Sequence, residues 1–280
     1  MKQAWLSLAA LSLIPRVVSA QCKVGKETNE AKLLAYYAAP LAFSPSGTLE
    51  RMAPGGIRAA FEVTYIPQPS DELRRTSVCF LPKDENSQLS SVLPRPRLSV
   101  GLPGGFFIEG TYLPPITVND ATPNMASVAL GFVRQLGERL GLALRAHATV
   151  GQVKGPITCN TDALQMSDPN KACYGSTKSD DTYRPNIAGV EGAVTVAGAG
   201  GKYSGYAGAG YSSLRPRFQV GFQPANSRFD STRVETDLTR MTVMVGGRYR
   251  LASRLAVTGE LYSVPKDMTT VRVGGSLRIR

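Results

Sequence analysis

The sequence is poor in histidine and in acidic residues, and it lacks long apolar runs. Its 280 residues contain one histidine, His147. Since protein metal sites need several ligating side chains close together, we expect no metal and no cofactor. After the N-terminus, no segment reaches the ~20 consecutive apolar residues that a membrane-spanning helix needs. If this chain lies in a membrane, it therefore crosses the membrane with strands.

Basic residues outnumber acidic ones, 32 to 21, which gives a formal net charge of +11. The basic residues are scattered along the chain, so the excess does not predict a nucleic-acid partner. Many of them fall on the polar face of predicted strands instead. We therefore expect a basic lumen or mouth, which would favour small anionic solutes.

The first residues have the three parts of an export signal. Lys2 supplies the positive start, residues 4–14 form the apolar core, and residues 18–20 (Val-Ser-Ala) form a small-residue cleavage site. The sequence therefore predicts a cleaved signal peptide over residues 1–20.

Four cysteines in an exported chain predict two disulfides. Cys159 and Cys173 flank one polar loop, and we pair them. Cys22 with Cys79 then follows by elimination. The acidic residues near the first pair (Asp162, Asp168, Asp180 and Asp181) lack the spacing of a calcium loop, and we interpret them as parts of a solvated loop.

From about residue 57 to residue 280, apolar and polar residues alternate in runs that end at turns. In the last run Val271, Val273 and Leu277 share one face, while Arg272 and Arg278 share the other. Successive side chains of a β-strand point to opposite faces, so each run predicts a strand with one apolar face. The predicted strands are 57–66, 96–102, 106–113, 125–136, 140–152, 186–197, 202–214, 238–251, 254–264 and 270–280.

Short turns and longer polar loops alternate between these strands, which is typical of outer-membrane barrels. Alternation alone leaves open which face points inward, because a soluble barrel hides the apolar face that a membrane barrel shows to lipid. Aromatic residues of the apolar face gather near strand ends, as in the two interfacial girdles of membrane barrels. This distribution favours an apolar face that points to lipid. These aromatics are Tyr65, Tyr112 and Tyr211 towards the long loops, and Phe106, Tyr203 and Tyr249 towards the short turns.

The polar face of the strands carries charges of both signs, which can pair across a narrow lumen. We predict a lumenal network of Arg58, Glu62, Glu109, Arg145, His147, Glu191, Lys202, Arg240, Arg248, Glu260 and Arg272. Turned to lipid at the membrane midplane, each basic residue would cost roughly 2–4 kcal/mol. The polar face is therefore expected to point inward.

Residues 101–110 (GLPGGFFIEG) are typical of a barrel hairpin. Because of this segment, the strand pattern and the loop asymmetry, the chain resembles small bacterial outer-membrane β-barrel proteins. The resemblance covers most of the mature chain. It implies an all-β, up-and-down antiparallel transmembrane β-barrel of about ten strands over residues 57–280. We expect a monomer in contact with outer-membrane lipid. Such proteins usually end on an aromatic residue, whereas this chain ends in Arg280.

Residues 21–56 form a separate, partly helical segment. Residues 29–39 favour a helix with Leu33 and Tyr37 on one apolar stripe, and Pro40 would end it. The segment is either a plug that enters the lumen or a periplasmic cap. A strand over residues 41–49 is an alternative.

The sequence favours a non-enzymatic role in membrane structure, surface contact or slow passage of small solutes. A ten-strand lumen lined by arginine and glutamate side chains is too narrow for a general porin. A soluble or surface-attached ligand-binding barrel is the first alternative. An outer-membrane lipid-modifying enzyme is the second. That enzyme would use His147, which instead falls on the predicted lumenal face.

Overall fold

The computed structural model describes residues 21–47, 49–74, 78–79 and 90–280, so the predicted signal peptide lies outside the described residues. The helices are α1 (Asn29–Ala38) and α2 (Asp71–Arg74). The strands are β1 (Gln21–Lys23), β2 (Ile57–Tyr65), β3 (Val92–Gly101), β4 (Phe106–Leu113), β5 (Thr122–Gln135), β6 (Leu140–Gly155), β7 (Asp181–Arg184), β8 (Ile187–Ala197), β9 (Tyr203–Leu214), β10 (Arg217–Gln219), β11 (Arg233–Glu235), β12 (Leu238–Arg250), β13 (Leu255–Val264) and β14 (Met268–Arg278).

Ten of these strands form a closed barrel. Each of β2 to β6, β8, β9 and β12 to β14 pairs antiparallel with its neighbours in chain order, and β14 pairs with β2 to complete the ring. The prediction of an up-and-down antiparallel barrel of about ten strands is confirmed. Predicted and observed strand ends differ by a few residues. The largest difference is at β3, which begins at Val92 rather than at residue 96.

The apolar face of the barrel points outward. On β6, Leu142 and Leu144 are exposed, whereas Arg145, His147 and Thr149 are buried towards the lumen. The same division holds on β14, where Val273 is 54% exposed and Arg272 is fully buried. This arrangement is typical of transmembrane barrels, which turn their apolar residues to lipid.

The two rims of the barrel differ. The short-turn rim has tight connections such as residues 103–105, where Gly104 and Gly105 take positive φ angles of 75° and 87° that suit glycine. On the opposite, long-loop rim, four short strands extend the sheet in the order β6–β7–β10–β11–β1. The sequence predicted loops there, because strands of three or four residues are too short to show alternation.

Helix α1 lies at the long-loop rim. The Thr28 side chain caps its first turn by accepting a hydrogen bond from the Ala31 amide, and Pro40 follows its end. In the middle of α1, the Tyr183 hydroxyl donates to the Leu34 carbonyl at 2.7 Å. Among the described residues, no helix is long and apolar enough to cross a membrane.

Candidate functional site

The chain passes from α1 into the barrel and emerges at the short-turn rim, where β2 begins. We call residues 39–50 the lumenal segment; residue 48 is outside the described residues. Residues 39–47 are all buried, and Phe43 and Ser44 have no exposed surface. The segment is a short 3₁₀ turn followed by irregular chain, so the alternative of a strand over residues 41–49 is wrong.

Arginines of the barrel wall hold the backbone of the lumenal segment. Arg95 on β3 donates to the Ala42 carbonyl at 3.0 Å and to the Leu41 carbonyl at 3.3 Å. Arg272 on β14 donates to the same Ala42 carbonyl at 3.1 Å. Leu41 ends the 3₁₀ turn and Ala42 follows it, and the arginines supply hydrogen bonds that buried carbonyls require. The segment is therefore fastened through its main chain as well as its side chains.

Phe43 is enclosed by three arginines. The guanidinium carbons of Arg97, Arg145 and Arg95 lie 4.4, 4.8 and 5.8 Å from the centre of its ring. Arg145 also donates to the Phe43 carbonyl, and Arg97 donates to the Ser44 carbonyl. Cation–π contacts gain strength where the cation is removed from water, as it is here.

Glu260 on β13 binds the next part of the segment. It accepts hydrogen bonds from the Ser44 hydroxyl at 2.5 Å and from the Ser46 amide at 2.9 Å. The Tyr206 hydroxyl donates to the same carboxylate at 2.5 Å and accepts from the Gly47 amide at 3.0 Å. Three polar groups of the segment are thus satisfied from two strands.

Glu50 ends the lumenal segment at the short-turn rim. Its carboxylate accepts a hydrogen bond from the Ser204 hydroxyl at 2.8 Å. It also forms ion pairs with Arg58, at 3.4 Å, and with Arg248. The segment therefore makes polar contacts with the wall along the length of the lumen.

The wall charges also pair with one another. Arg97 joins Glu62, at 2.5 Å, to Glu109 on the next strand. Arg145 joins Glu109, at 3.4 Å, to Glu191, at 3.0 Å. Buried charges are tolerated where they are paired and hydrogen-bonded. This series of ion pairs, with residues from β2, β3, β4, β6 and β8, meets that condition.

Two residues of the predicted network lie elsewhere. Lys202 is exposed in the turn before β9, because the strand begins one residue later than the pattern predicted, so its place in the network is wrong. Arg240 faces inward but pairs near the long-loop rim with Asp267, at 2.8 Å, rather than with the other charges. Asp267 lies in the β13–β14 turn, where burial raises its pKa and the hydrogen bond from Arg240 opposes that shift.

The other predicted members are buried and inward. They are Arg58, Glu62, Glu109, Arg145, His147, Glu191, Arg248, Glu260 and Arg272. Sequence reasoning missed Arg95 and Arg97, since the predicted strand began after Arg95 and the two prolines beside them disguised the alternation. It also missed Phe43, for which the sequence gives no signal.

His147 lies inside the lumen. It is 4% exposed, and its Nε2 is 3.6 Å from a Glu191 oxygen. Both Nε2 of His147 and the Ser212 hydroxyl approach Gly189, where an added Cβ would lie 2.5 and 2.6 Å from them. Glycine is therefore required opposite this histidine, and the ring faces away from the outer surface, where an acyl substrate would lie.

The six aromatics predicted for the interfaces all point outward. Each is between 44% and 57% exposed: Tyr65, Phe106, Tyr112, Tyr203, Tyr211 and Tyr249. Tyr112 additionally donates a hydrogen bond to Asn124 at 3.2 Å.

The long-loop side has a different kind of interior. We call the assembly of residues 21–38 with the described parts of the long loops the cap. Both predicted cysteine pairs are at disulfide distance there, with Cα atoms 6.0 Å apart for Cys22–Cys79 and 5.5 Å for Cys159–Cys173. Buried apolar residues cluster beneath them: Val24, Leu34, Ile157, Phe218, Val220, Phe222 and Val234.

One buried carboxylate organises the cap loops. Asp181 accepts hydrogen bonds from the Thr158 amide at 2.6 Å, the Ser179 hydroxyl at 2.8 Å and the Gly221 amide at 2.9 Å. Burial raises the pKa of Asp181, and these donated hydrogen bonds oppose the shift. Among the described residues, no group of three or more His, Cys, Asp or Glu side chains is placed to hold a metal ion.

No protein-family model and no curated protein matches the chain. Among solved structures it is similar to Ail, the attachment invasion locus protein of Yersinia pestis, with 8% identity and a TM-score of 0.36 over 81% of this chain and 100% of that one. It is also similar to the toluene transporter TodX of Pseudomonas putida, with 10% identity and a TM-score of 0.34 over 88% and 71%. A third is the outer membrane protein Omp33 of Acinetobacter baumannii, with 7% identity and a TM-score of 0.30 over 80% and 98%.

Proposed function

We propose that this chain is a monomeric bacterial outer-membrane β-barrel whose lumen is closed by its own N-terminal segment, and that its cap mediates contact at the cell surface. The observation that carries the proposal is the burial of residues 39–47 inside the barrel, where wall arginines bind their carbonyls. Because its lumen is filled, the barrel would serve as a structural support for the cap. The proposal assigns no catalytic step to the chain.

The outer surface supports placement in a membrane. Leu142, Leu144, Val190 and Val273 are among the many large apolar side chains exposed around the barrel. Contiguous apolar surface of this extent is rare on soluble monomers and marks contact with lipid or protein. A soluble ligand-binding barrel, the first alternative, would turn these residues inward.

Cell-surface labelling tests the proposal. An epitope inserted between Arg228 and Phe229, which are exposed on the cap, should bind antibody on intact cells. The matched control carries the same epitope between Gly137 and Glu138 in a short turn, and should bind antibody only after the cells are permeabilised. Recovery of the protein in the soluble periplasmic fraction would contradict the proposal.

A second candidate function, slow passage of small anions, is favoured by a vestibule at the short-turn rim. This cavity of 220 Å³ is lined by Arg139, Arg248, Arg250 and Arg278, with Glu50 as its one acidic lining residue among the described residues. Passage through the barrel would require the lumenal segment to move. Liposome flux should then be faster for a small anion than for an uncharged solute of equal size, and Arg139→Gln should reduce the difference. Equal fluxes would eliminate this candidate.

A further inference from the structure

The barrel wall is incompletely paired between β3 and β4. Near the short-turn rim the two strands are in register from Gly101 opposite Phe107 to Leu98 opposite Gly110, and there the pairing ends. Both strands continue towards the long-loop rim: β3 pairs with β2 as far as Val92, and β4 pairs with β5 as far as Leu113. Among the described residues, the upper part of β3 is therefore paired only with β2, and the upper part of β4 only with β5.

Two prolines account for the end of this pairing. The Gly101 amide donates to Gly56 on the β2 side, so odd-numbered residues of β3 direct their N–H groups to β2. The Leu102 amide donates to the Phe106 carbonyl across the hairpin, so even-numbered residues direct theirs to β4. Pro94 and Pro96 occupy even positions and have no N–H to donate.

The residue that follows β4, Pro114, is also a proline. Continuing the register of Leu98 and Gly110 would set Pro96 opposite Tyr112 and Pro94 opposite Pro114. Proline is tolerated at the edge of a sheet because the missing donor faces away from a ladder. The three prolines thus maintain a seam, open in its upper half, in a wall that is otherwise closed over the part of the chain that the structure describes.

A cavity of 370 Å³ lies at this seam. Its lining includes residues from both faces of β3, since Pro94 and Pro96 point outward and Leu93 points inward. Leu113 on β4 and Met125 on β5 line its inner part. The cavity therefore extends through the wall instead of lying on one side of it.

Among the described residues, the lining has no charged side chain. The inner end is formed by Leu41 of the lumenal segment and by Tyr37 of α1, and the outer end by Phe61 and Val92, which are 53% and 42% exposed. The volume falls in the range of about 300–1,000 Å³ that is usual for ligand pockets. An apolar, uncharged cavity that opens sideways at the level of Tyr65 and Tyr112 suits hydrocarbon more than a hydrated solute.

We propose that this cavity binds an acyl chain of an outer-membrane lipid, which enters laterally between β3 and β4. The inference rests on the proposed membrane placement. The chain would lie against Leu113 and Met125, with its head group left outside at the interface. The prolines make the site possible because they leave the seam without ladder hydrogen bonds.

Quenching of tryptophan by brominated lipid tests the proposal, since bromine quenches only on close contact. Trp5, the one tryptophan of the sequence, lies in the predicted signal peptide, so an introduced tryptophan is the only reporter in the mature chain. Met125→Trp places it in the cavity. Met244→Trp is the matched control, because Met244 is equally buried and inward but lies on β12. Leu130→Trp, outward on β5, reports contact with the bilayer itself.

In vesicles of dibrominated phosphatidylcholine, Met125→Trp should lose most of its fluorescence, as Leu130→Trp does, while Met244→Trp keeps its fluorescence. Adding Pro94→Val and Pro96→Val should restore the emission of Met125→Trp, because both residues regain a donor towards β4. If Met125→Trp does not fold, Leu113→Trp provides the same measurement, because Leu113 on β4 is paired with Met125 and lines the same cavity.

Quenching of Leu130→Trp without quenching of Met125→Trp would overturn the inference and leave the proposed function intact. Equal quenching at Met125 and Met244 would also overturn it, because lipid would then not be specific to the seam. Absence of quenching in Leu130→Trp would contradict the membrane placement, and with it both proposals.

Discussion

The lumen and the cap bury their interiors by opposite means. Within the cap, Leu34, Phe218 and Val234 belong to an apolar core that is closed by two disulfides. Within the lumen, the space around Phe43 is filled by arginines and glutamates that pair with one another and with main-chain carbonyls. One continuous N-terminal segment joins the two regions.

The difference follows from where each region must present apolar surface. The barrel wall exposes its apolar residues outward, so alternation leaves polar residues for the lumen. The cap strands meet other loops on one side, so they can bury apolar residues against α1. Charged interiors tolerate the loss of a partner poorly, whereas apolar interiors and cross-links lose stability in proportion to what is removed.

The largest expected effect is in the lumen. Arg97→Ala leaves Glu62 and Glu109 without their closest cation in a buried site, which should lower the free energy of unfolding by up to about 5 kcal/mol. Urea titration of heat-dependent gel mobility measures the change. Lys178→Ala removes an exposed ion pair with Asp120 and should cost at most about 1 kcal/mol. Equal losses in the two variants would contradict the description of the lumen.

The next effect is in the cap. Replacing Cys22 and Cys79 by serine opens a loop with a sequence separation of 57, which should cost about 4 kcal/mol in the chain-entropy model. Opening Cys159–Cys173, with a separation of 14, should cost about 3 kcal/mol by the same model. The comparison uses thermal unfolding of the oxidised protein and both double variants. A larger loss from the shorter loop would show that strain or packing outweighs chain entropy.

Phe43→Ala should destabilise the lumenal segment by about 3 kcal/mol, because a fully buried ring and its contacts with three arginines are lost. The segment should also become accessible to protease added to detergent-solubilised barrels. Phe229→Ala, at a cap residue that is 57% exposed, is the control and should change stability by no more than about 0.5 kcal/mol. Unchanged protease resistance in Phe43→Ala would show that the arginines hold the segment without its ring.

The smallest effect concerns pH. Burial raises the pKa of Asp181, so the folded cap binds a proton at higher pH than the unfolded chain does. Cap stability should therefore fall as pH rises from the ordinary aspartate value through the raised pKa, and should be greater on the acidic side. Asp181→Asn should remove this dependence, as followed by hydrogen exchange of the Thr158 and Gly221 amides. An opposite slope would mean that the donated hydrogen bonds outweigh burial.

Much of the barrel could be predicted from the sequence because the wall obeys one local rule. Alternation of apolar and polar residues is enough to locate the ten strands and to assign Arg145 and Leu144 to opposite faces. The same rule failed at the start of β3, where residues 92–95 with Pro94 resemble a loop, and at Lys202, which lies in the turn before β9.

The lumenal segment could not be predicted to the same degree. Its residues have no periodicity, and the contacts that hold Phe43 come from arginines more than 50 residues away in the chain. Carbonyl acceptors leave no trace in the sequence, since every residue has one. The short cap strands were missed for a related reason, because their pairing depends on the loops folding together.

Single-channel recording in planar bilayers tests the central claim most directly. The wild-type protein should give no stepwise current, because residues 39–47 fill the lumen. A variant in which residues 40–47 are replaced by glycine and serine, with Cys22–Cys79 kept, should give discrete openings. Stepwise currents of the same size in the wild-type protein would contradict a lumen closed by its own N-terminal segment.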